Sequence, residues 1–191
     1  LSYEHSGFED NLIFESLGTT VTITPYLNWA GSVEVTIGAF DSEYYEEQVF
    51  TLTVLAVNDA PVIDNIENQS IDEDSSISIS LSSTDVEDDS LTYSASADNA
   101  ILDIIGNILT INPTADFYGQ INISVGVSDG YLEDETSFIL DVLPVNDAPI
   151  LDSLNDVTFN EDGTTELTLS AYDVDNSDLV FSIIGGTQII A

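Results

Sequence analysis

Val57-Asn58-Asp59-Ala60-Pro61 recurs as Val145-Asn146-Asp147-Ala148-Pro149, 88 residues further on (145 − 57). The offset continues without gaps. Asp64 falls on Asp152, Glu73-Asp74 on Glu161-Asp162, Asp85-Val86 on Asp173-Val174 and Leu91-Thr92-Tyr93 on Leu179-Val180-Phe181. Counted backwards, Pro113 falls on Pro25, Gly119 on Gly31, Asp129 on Asp41, Phe138 on Phe50 and Leu143 on Leu55. A fixed self-similarity of this length marks a tandem array. The sequence predicts the late part of one repeat over 1–56, a whole repeat over 57–144 and the early part of another over 145–191.

Inside the whole repeat the hydrophobic period is two, the mark of half-buried strands. Ser76 to Ser82 reads S-I-S-I-S-L-S and Ile121 to Val127 reads I-N-I-S-V-G-V, while Thr136, Phe138, Leu140 and Val142 alternate down a last strand. Shorter strands are expected near Leu91 to Ala95, Ile101 to Ile104 and Ile108 to Ile111. Turn signals separate them at Asp88-Asp89-Ser90, Gly106-Asn107, Asn112-Pro113 and Asp129-Gly130. Short strands at intervals of about ten residues, with no helical periodicity, predict an all-β fold of tandem Greek-key antiparallel sandwiches. The joints are stiff by composition: Asn-Asp-Ala-Pro has no glycine or serine run, and proline fixes its own φ while holding the residue before it extended.

Charge narrows the function. Of 191 residues, 36 are Asp or Glu and none is Lys or Arg, giving a formal charge of -36. Affinity for nucleic acid and for anionic membrane surfaces comes largely from Lys and Arg, so neither polyanion is a partner. Without lysine there is no Walker-type phosphate cradle, Schiff base or pyridoxal attachment, and without cysteine and with one histidine there is no protein-built zinc site. The 43% of apolar residues suffices for real cores, and Val, Ile and Thr make up about a quarter of the chain, a β bias. No apolar run approaches a membrane span, and neither an initiator Met nor a signal peptide is present, as expected of an excised or processed piece.

The acids gather at three places per repeat: the linker (Asn58, Asp59; Asn146, Asp147), the first strand (Asp72, Glu73, Asp74; Glu161, Asp162) and the turn before the third strand (Asp85, Glu87, Asp88, Asp89; Asp173, Asp175, Asp178). Two carboxylates about 4 Å apart repel by about 1 kcal/mol in water and about 4 kcal/mol at a partly buried site. No internal cation offsets this, so an external one must. Hard oxygen donors at alternating positions suit Ca²⁺, which takes six to eight oxygens in flexible geometry. Asp173-Val174-Asp175-Asn176-Ser177-Asp178 is a short cage of this kind, and no EF-hand, because Gly is absent at its sixth position and Ile184 stands where a bidentate Glu belongs.

The Val-Asn-Asp-Ala-Pro linker, the first-strand Glu, the Asp-x-Glu or Asp-x-Asp turn followed by Leu-x-Tyr or Leu-x-Phe, and the late Ser-Asp-Gly together resemble the tandem cadherin-like (bacterial Ig-like) repeats of large bacterial surface and adhesion proteins. The resemblance implies calcium at each joint, held by the first-strand Glu of one repeat, the Asn-Asp linker, and the turn and late Asp of the next. By position this places Asn58, Asp59, Asp85, Glu87 and Asp129 at the first joint, and Glu73, Asn146, Asp147, Asp173 and Asp175 at the second. Cadherins supply further ligands from a mid-repeat Asp-x-Glu segment, whereas Ile108 to Pro113 here reads I-L-T-I-N-P. The implied function is mechanical and non-enzymatic: an extracellular, calcium-stiffened segment of a stalk, adhesin or surface filament. Chelation is expected to loosen the joints and leave the repeats folded.

Other residues carry bland and sharp readings side by side. Acidic surfaces also serve adaptation to high salt, which does not account for clustering at joints. His5 has no serine and aspartate at triad spacing and reads as a strand or surface residue. Trp29, Tyr26, Tyr44 and Tyr45 could form a glycan-stacking platform, the alternative function, but Trp29 aligns with Phe117 and so reads as core. Asn68-Gln69-Ser70 and Asn122-Ile123-Ser124 are glycosylation sequons of low specificity. The outer pieces each leave half a core uncovered. Either the tail of one subunit completes the head of the next, copy to copy, or the chain is a window on a continuous array with adjacent repeats end to end.

Overall fold

The structure is a computed structural model that describes residues 2–6, 11–87 and 90–185, so Asp88 and Asp89 lie outside the described residues. It is all-β, with no helix among the described residues. Residues 1–56 carry β1 (Ser2–Ser6), β2 (Leu12–Leu17), β3 (Thr20–Pro25), β4 (Gly31–Phe40) and β5 (Tyr45–Val54). Residues 57–144, the expected whole repeat and hereafter the central repeat, carry β6 (Val62–Ile63), β7 (Gln69–Asp72), β8 (Ile77–Ser80), β9 (Ser83–Thr84), β10 (Thr92–Ser96), β11 (Ala100–Ile105), β12 (Ile108–Pro113), β13 (Gly119–Ser128) and β14 (Glu133–Leu143). Two short strands follow, β15 (Ile150–Leu151) and β16 (Ala171–Tyr172).

The chain forms two compact units. The first comprises Leu1–Ile63, Ser83–Thr92 and Val127–Asp134. Its main sheet has the order β1-β4-β5, with β2-β3 and β6-β9 as two-stranded ladders. The β2–β3 hairpin closes from Leu17 to Thr20 around Gly18, whose φ of 64° is the positive value that short hairpin loops require and glycine adopts without strain. Leu12, Val33 and Val35 are buried, with Phe14, Ile23, Trp29, Ile37, Leu52 and Val54 packed against them. Trp29 is therefore part of the core. His5 lies in β1, opposite Ile37 in register.

The second unit comprises Asp64–Ser82, Tyr93–Gly126 and Glu135–Ala191. Alternation puts Ile121, Ile123 and Val125 of β13, Phe138, Leu140 and Val142 of β14, and Leu109 and Ile111 of β12 into one core, each no more than 2% exposed. Each such side chain contributes about 1.5–3 kcal/mol on burial, so the interior of the repeat is held by apolar packing. The strand order β10-β13-β14-β7 makes one sheet of the sandwich and β11-β12-β8 the other.

One pairing departs from the antiparallel expectation. β7 runs parallel to β14, from Gln69 opposite Leu140 to Asp72 opposite Leu143. Before it, the Asp64 N–H donates to Ser82 O (2.9 Å), and at its start Asn68 Oδ1 accepts the Ile139 N–H (2.9 Å), so the chain joins the β14 edge in the direction in which β14 itself runs. Glu73-Asp74 lies just past the end of β7, in a turn where Asp74 has a φ of 56°.

Local structures recur in pairs at equivalent positions. Gly18 and Gly106 share a φ of 64°, and Asn28 and Asp116 sit at 62° and 57°. The Trp29 N–H donates to Tyr26 O as the Phe117 N–H does to Thr114 O. The β15–β16 ladder repeats that of β6–β9, with the Asp152 N–H donating to Ser170 O at 2.9 Å. Elsewhere in 145–185 the apolar side chains are open: Val157, Phe159 and Leu167 are each about half exposed.

Candidate metal centre

Each joint lies whole within one unit. At the first, the linker is laced to the turn before β10 and to the turn after β13. Asn58 Nδ2 donates to Asp129 Oδ2 (2.8 Å) and to Asp59 O (2.9 Å), the Asp59 N–H donates to Glu87 Oε2 (3.2 Å), and the Glu87 N–H donates to Asp85 Oδ1 (2.9 Å). Asp129 Oδ1 also accepts the N–H groups of Tyr131 (2.6 Å) and Leu132 (2.7 Å). The Leu132 N–H, then Asn58, then the Tyr131 N–H hold its carboxyl below the ordinary aspartate range, because all three bonds favour the charged form. The five residues assigned to this joint are thus brought together through the linker. A cavity of about 370 Å³ opens beside them, lined among others by Asn28, Trp29, Asp59 and Glu87.

The second joint repeats the lacing and adds charge. Asn146 Nδ2 donates to Asp147 O (2.6 Å), the Asp147 N–H donates to Asp175 Oδ2 (2.6 Å), and Asp173 Oδ1 accepts from the N–H groups of Asp175 (3.0 Å) and Asn176 (2.6 Å). Asn176 Nδ2 reaches Asn146 Oδ1 at 3.0 Å. From the preceding repeat comes Glu73, only 4% exposed, whose Oε1 accepts the Val145 N–H at 2.6 Å. Its Oε2 and Asp147 Oδ2 are buried without a hydrogen-bond partner.

Carboxylate oxygens of Glu73, Asp147 and Asp175 lie within 4.8 Å of one another, and those of Asp74, Asp116 and Asp147 form a second such group. Asp147 belongs to both. Burial first, then the charges of Asp116, Asp175, Asp74 and Glu73, push its carboxyl above the ordinary aspartate value. Asp173 stands outside both groups, with one oxygen spent on its turn, although it lines a cavity of about 160 Å³ together with Asp116 and Asp147.

Asp74 and Asp116 join these carboxylate groups although the assignment by position left them out. Asp116 takes a left-handed turn at the end of Pro113-Thr114-Ala115, and its N–H donates to Asp74 Oδ1 (3.1 Å), which draws the two acids together. Asn28 holds the place equivalent to Asp116 at the first joint, with a similar positive φ and no charge. Among the described residues, both three-carboxylate groups belong to the second joint.

The donor set fits a hard divalent cation. A carboxylate oxygen buried beside two further carboxylates is costly unless paired, and the chain holds neither Lys nor Arg to pair it. Oxygen donors alone, several of them anionic, are the ligands that Ca²⁺ takes. The aromatic residues are arranged differently. Trp29 packs into the core, and the ring of Tyr45 covers Gly38 so closely that a side chain there would run into it, while Tyr26 and Tyr44 are exposed.

Residues 58–139 match the family model of the bacterial Ig domain, and the fold over them is an all-β sandwich. Among solved structures, cadherin repeats 1–3 of mouse protocadherin-24 are similar to 92% of this chain over 67% of their own length, at 18% identity and a TM-score of 0.49. Cadherin repeats 1–2 of human protocadherin-24 are similar over 74% of this chain and 80% of theirs, at 15% identity and a TM-score of 0.48. An endo-fucoidan hydrolase of glycoside hydrolase family 107 is similar over 75% of this chain, at 23% identity and a TM-score of 0.37. The chain spans about a quarter of that enzyme's length, 24%. No curated protein sequence matches the chain. Among the described residues, no helix is long and apolar enough to cross a membrane.

Proposed function

We propose that this chain is a non-enzymatic, extracellular repeat segment whose joints are stiffened by calcium, part of a stalk, adhesin or surface filament, with repeats divided at 57 and 145. The observation that carries this reading is Glu73. An acid on the repeat before the linker is buried, bonded through one oxygen to the linker backbone at Val145, and left with its second oxygen unsatisfied beside Asp147 and Asp175. Glu73, Asp147 and Asp175 would hold one ion, and Asp74, Asp116 and Asp147 a second, the ions supplying the positive charge that the chain lacks. Neutralised, the linker and the turns on either side of it are held as one piece. Because the apolar alternation lies inside the repeat and the acids lie at its joint, the metal governs the joint and the hydrophobic core governs the fold.

Calorimetric titration with Ca²⁺, with Mg²⁺ as the control, tests the reading together with amide exchange at Val145 and Asp147. Ca²⁺ is expected to bind and to slow exchange at both amides. No binding at millimolar Ca²⁺, or binding that leaves both amides unchanged, would overturn it.

A further inference from the structure

One sheet edge inside the central repeat is open and apolar. Among the described residues β11 pairs with β12 and with no other strand, so the main-chain groups that alternate residues turn away from β12 have no ladder to join. All three strands of that sheet, β8, β11 and β12, lie within residues 57–144. Along β11 the outward side chains are Ile101, Asp103 and Ile105, and the two isoleucines are 73% and 75% exposed. The pattern of aliphatic, acid and aliphatic stands also 88 residues earlier (101 − 13), on β2, as Ile13, Glu15 and Leu17, at 42% exposure for Ile13 and 86% for Leu17. In both places the acid faces a threonine of the neighbouring strand, Asp103 opposite Thr110 and Glu15 opposite Thr22. The corresponding edge of the other sheet is unlike this, since β10 turns Thr92, Ser94 and Ser96 to solvent.

A lone acid on an edge strand is a common guard against edge-to-edge pairing, and Asp103 does guard against a second copy. Two β11 edges paired antiparallel with Ile101 opposite Ile105 would set Asp103 against Asp103, between chains of charge -36 with no Lys or Arg to relieve it. A guard alone does not call for exposed aliphatic side chains on both sides of the acid, on both strands. We propose that these edges take up an extended segment of another protein that reads apolar-x-cation-x-apolar, the cation being Lys or Arg. Added antiparallel to β11, the segment sets its cation opposite Asp103 and its apolar side chains opposite Ile101 and Ile105, and β2 takes it in the same way at Ile13, Glu15 and Leu17. The main-chain bonds supply affinity, and the alternate side chains supply the choice of sequence. Neither Asp103 nor Glu15 is among the residues of a joint, so these edges are independent of the calcium reading.

The probe is the peptide Thr-Ile-Thr-Lys-Thr-Ile-Thr with blocked ends, and its control carries Glu in place of Lys. In amide NMR of the whole chain, in Ca²⁺ and in EDTA alike, the Lys peptide should shift Ile101 to Ile105 and Ile13 to Leu17, and the Glu peptide should shift neither. Asp103→Lys should weaken the Lys peptide at β11 by at least about tenfold, give the Glu peptide a hold there, and leave β2 as it was. Because the variant changes one position in a chain of charge -36, attraction to the overall charge would survive it. Ile105→Ser, at an exposed position, should weaken the β11 contact by about fivefold or more. No shift at millimolar Lys peptide, shifts gathered at the carboxylates of the joints, or shifts at β11 that Asp103→Lys leaves unchanged would overturn the proposal. So would concentration-dependent broadening of β11 in the free chain, which would make a second copy the occupant.

Discussion

The backbone N–H of Val145 donates to Glu73 Oε1 at 2.6 Å across 72 residues of sequence, so the first residue of the second linker is fixed by an acid of the repeat before it. The bond uses one oxygen and leaves the charge for a cation. Glu73→Gln keeps an acceptor for Val145 and removes the charge. It should weaken Ca²⁺ binding at the second joint by about tenfold or more while leaving the metal-free fold intact. Calorimetry beside a thermal melt in EDTA separates the two effects. Equal affinity in the variant would remove Glu73 from the ligand set.

Asp147 should give the opposite sign with and without metal. Its carboxyl is pushed above the ordinary value by burial and by four neighbouring acids, so in the metal-free protein its contribution to stability is present below the unfolded-state pKa and is lost as pH rises through the folded one. At neutral pH the charge is a cost unless a cation answers it. Asp147→Asn should therefore raise the melting temperature in EDTA and lower it in Ca²⁺, by about 2–5 °C in each case. Shifts of the same sign in both conditions would contradict this account of the joint.

The sandwich was legible because its strands alternate strictly. The S-I-S-I-S and I-N-I-S-V-G-V runs fall on β8 and β13, and Gly106-Asn107 falls on the turn between β11 and β12. The parallel edge strand was not, because Gln69–Asp72 is four residues long and its direction is set by where the chain arrives. At the site, the linker and turn acids could be read from their repeated spacing. Asp116 could not, nor could its meeting with Asp74, because what joins the two is a pair of left-handed turns and one backbone hydrogen bond. The available signal was Asn28 aligned with Asp116. Asn and Asp are the side chains that best tolerate positive φ, and of the two only Asp brings a charge.

Gly31 and Gly119 open β4 and β13 at φ values of 155° and 124°, outside the usual range of L side chains. Gly119→Ala should cost about 1–3 kcal/mol in a denaturant titration, since the strain of the backbone outweighs the gain from a stiffer unfolded chain. Gly31→Ala should cost more, because its Cβ would stand 3.2 Å from the Trp29 ring, against 3.9 Å from Phe117 at Gly119. A neutral or stabilising Gly119→Ala would mean that the start of the strand relaxes freely.

Asp41 caps the turn between β4 and β5, where its Oδ1 accepts the N–H groups of Tyr44 (2.8 Å) and Glu43 (3.1 Å). Both bonds, that of Tyr44 first, favour the carboxylate and hold its pKa below the ordinary 3.8. A depressed folded pKa contributes stability that is present above the unfolded value and is lost as pH falls through the folded one, so the turn should loosen only below about pH 4. Asp129 makes the same turn and has Asn58 Nδ2 as an additional donor. In EDTA, carboxyl-detected NMR should place both midpoints below that of a free aspartate. Asn58→Ala should move Asp129 back toward the ordinary value and leave Asp41 where it is, because the two turns share their backbone bonds and differ in that one contact. No shift at Asp129 would show that the turn alone sets its carboxylate, and an equal shift at Asp41 would show that the effect does not come through the Asn58 contact.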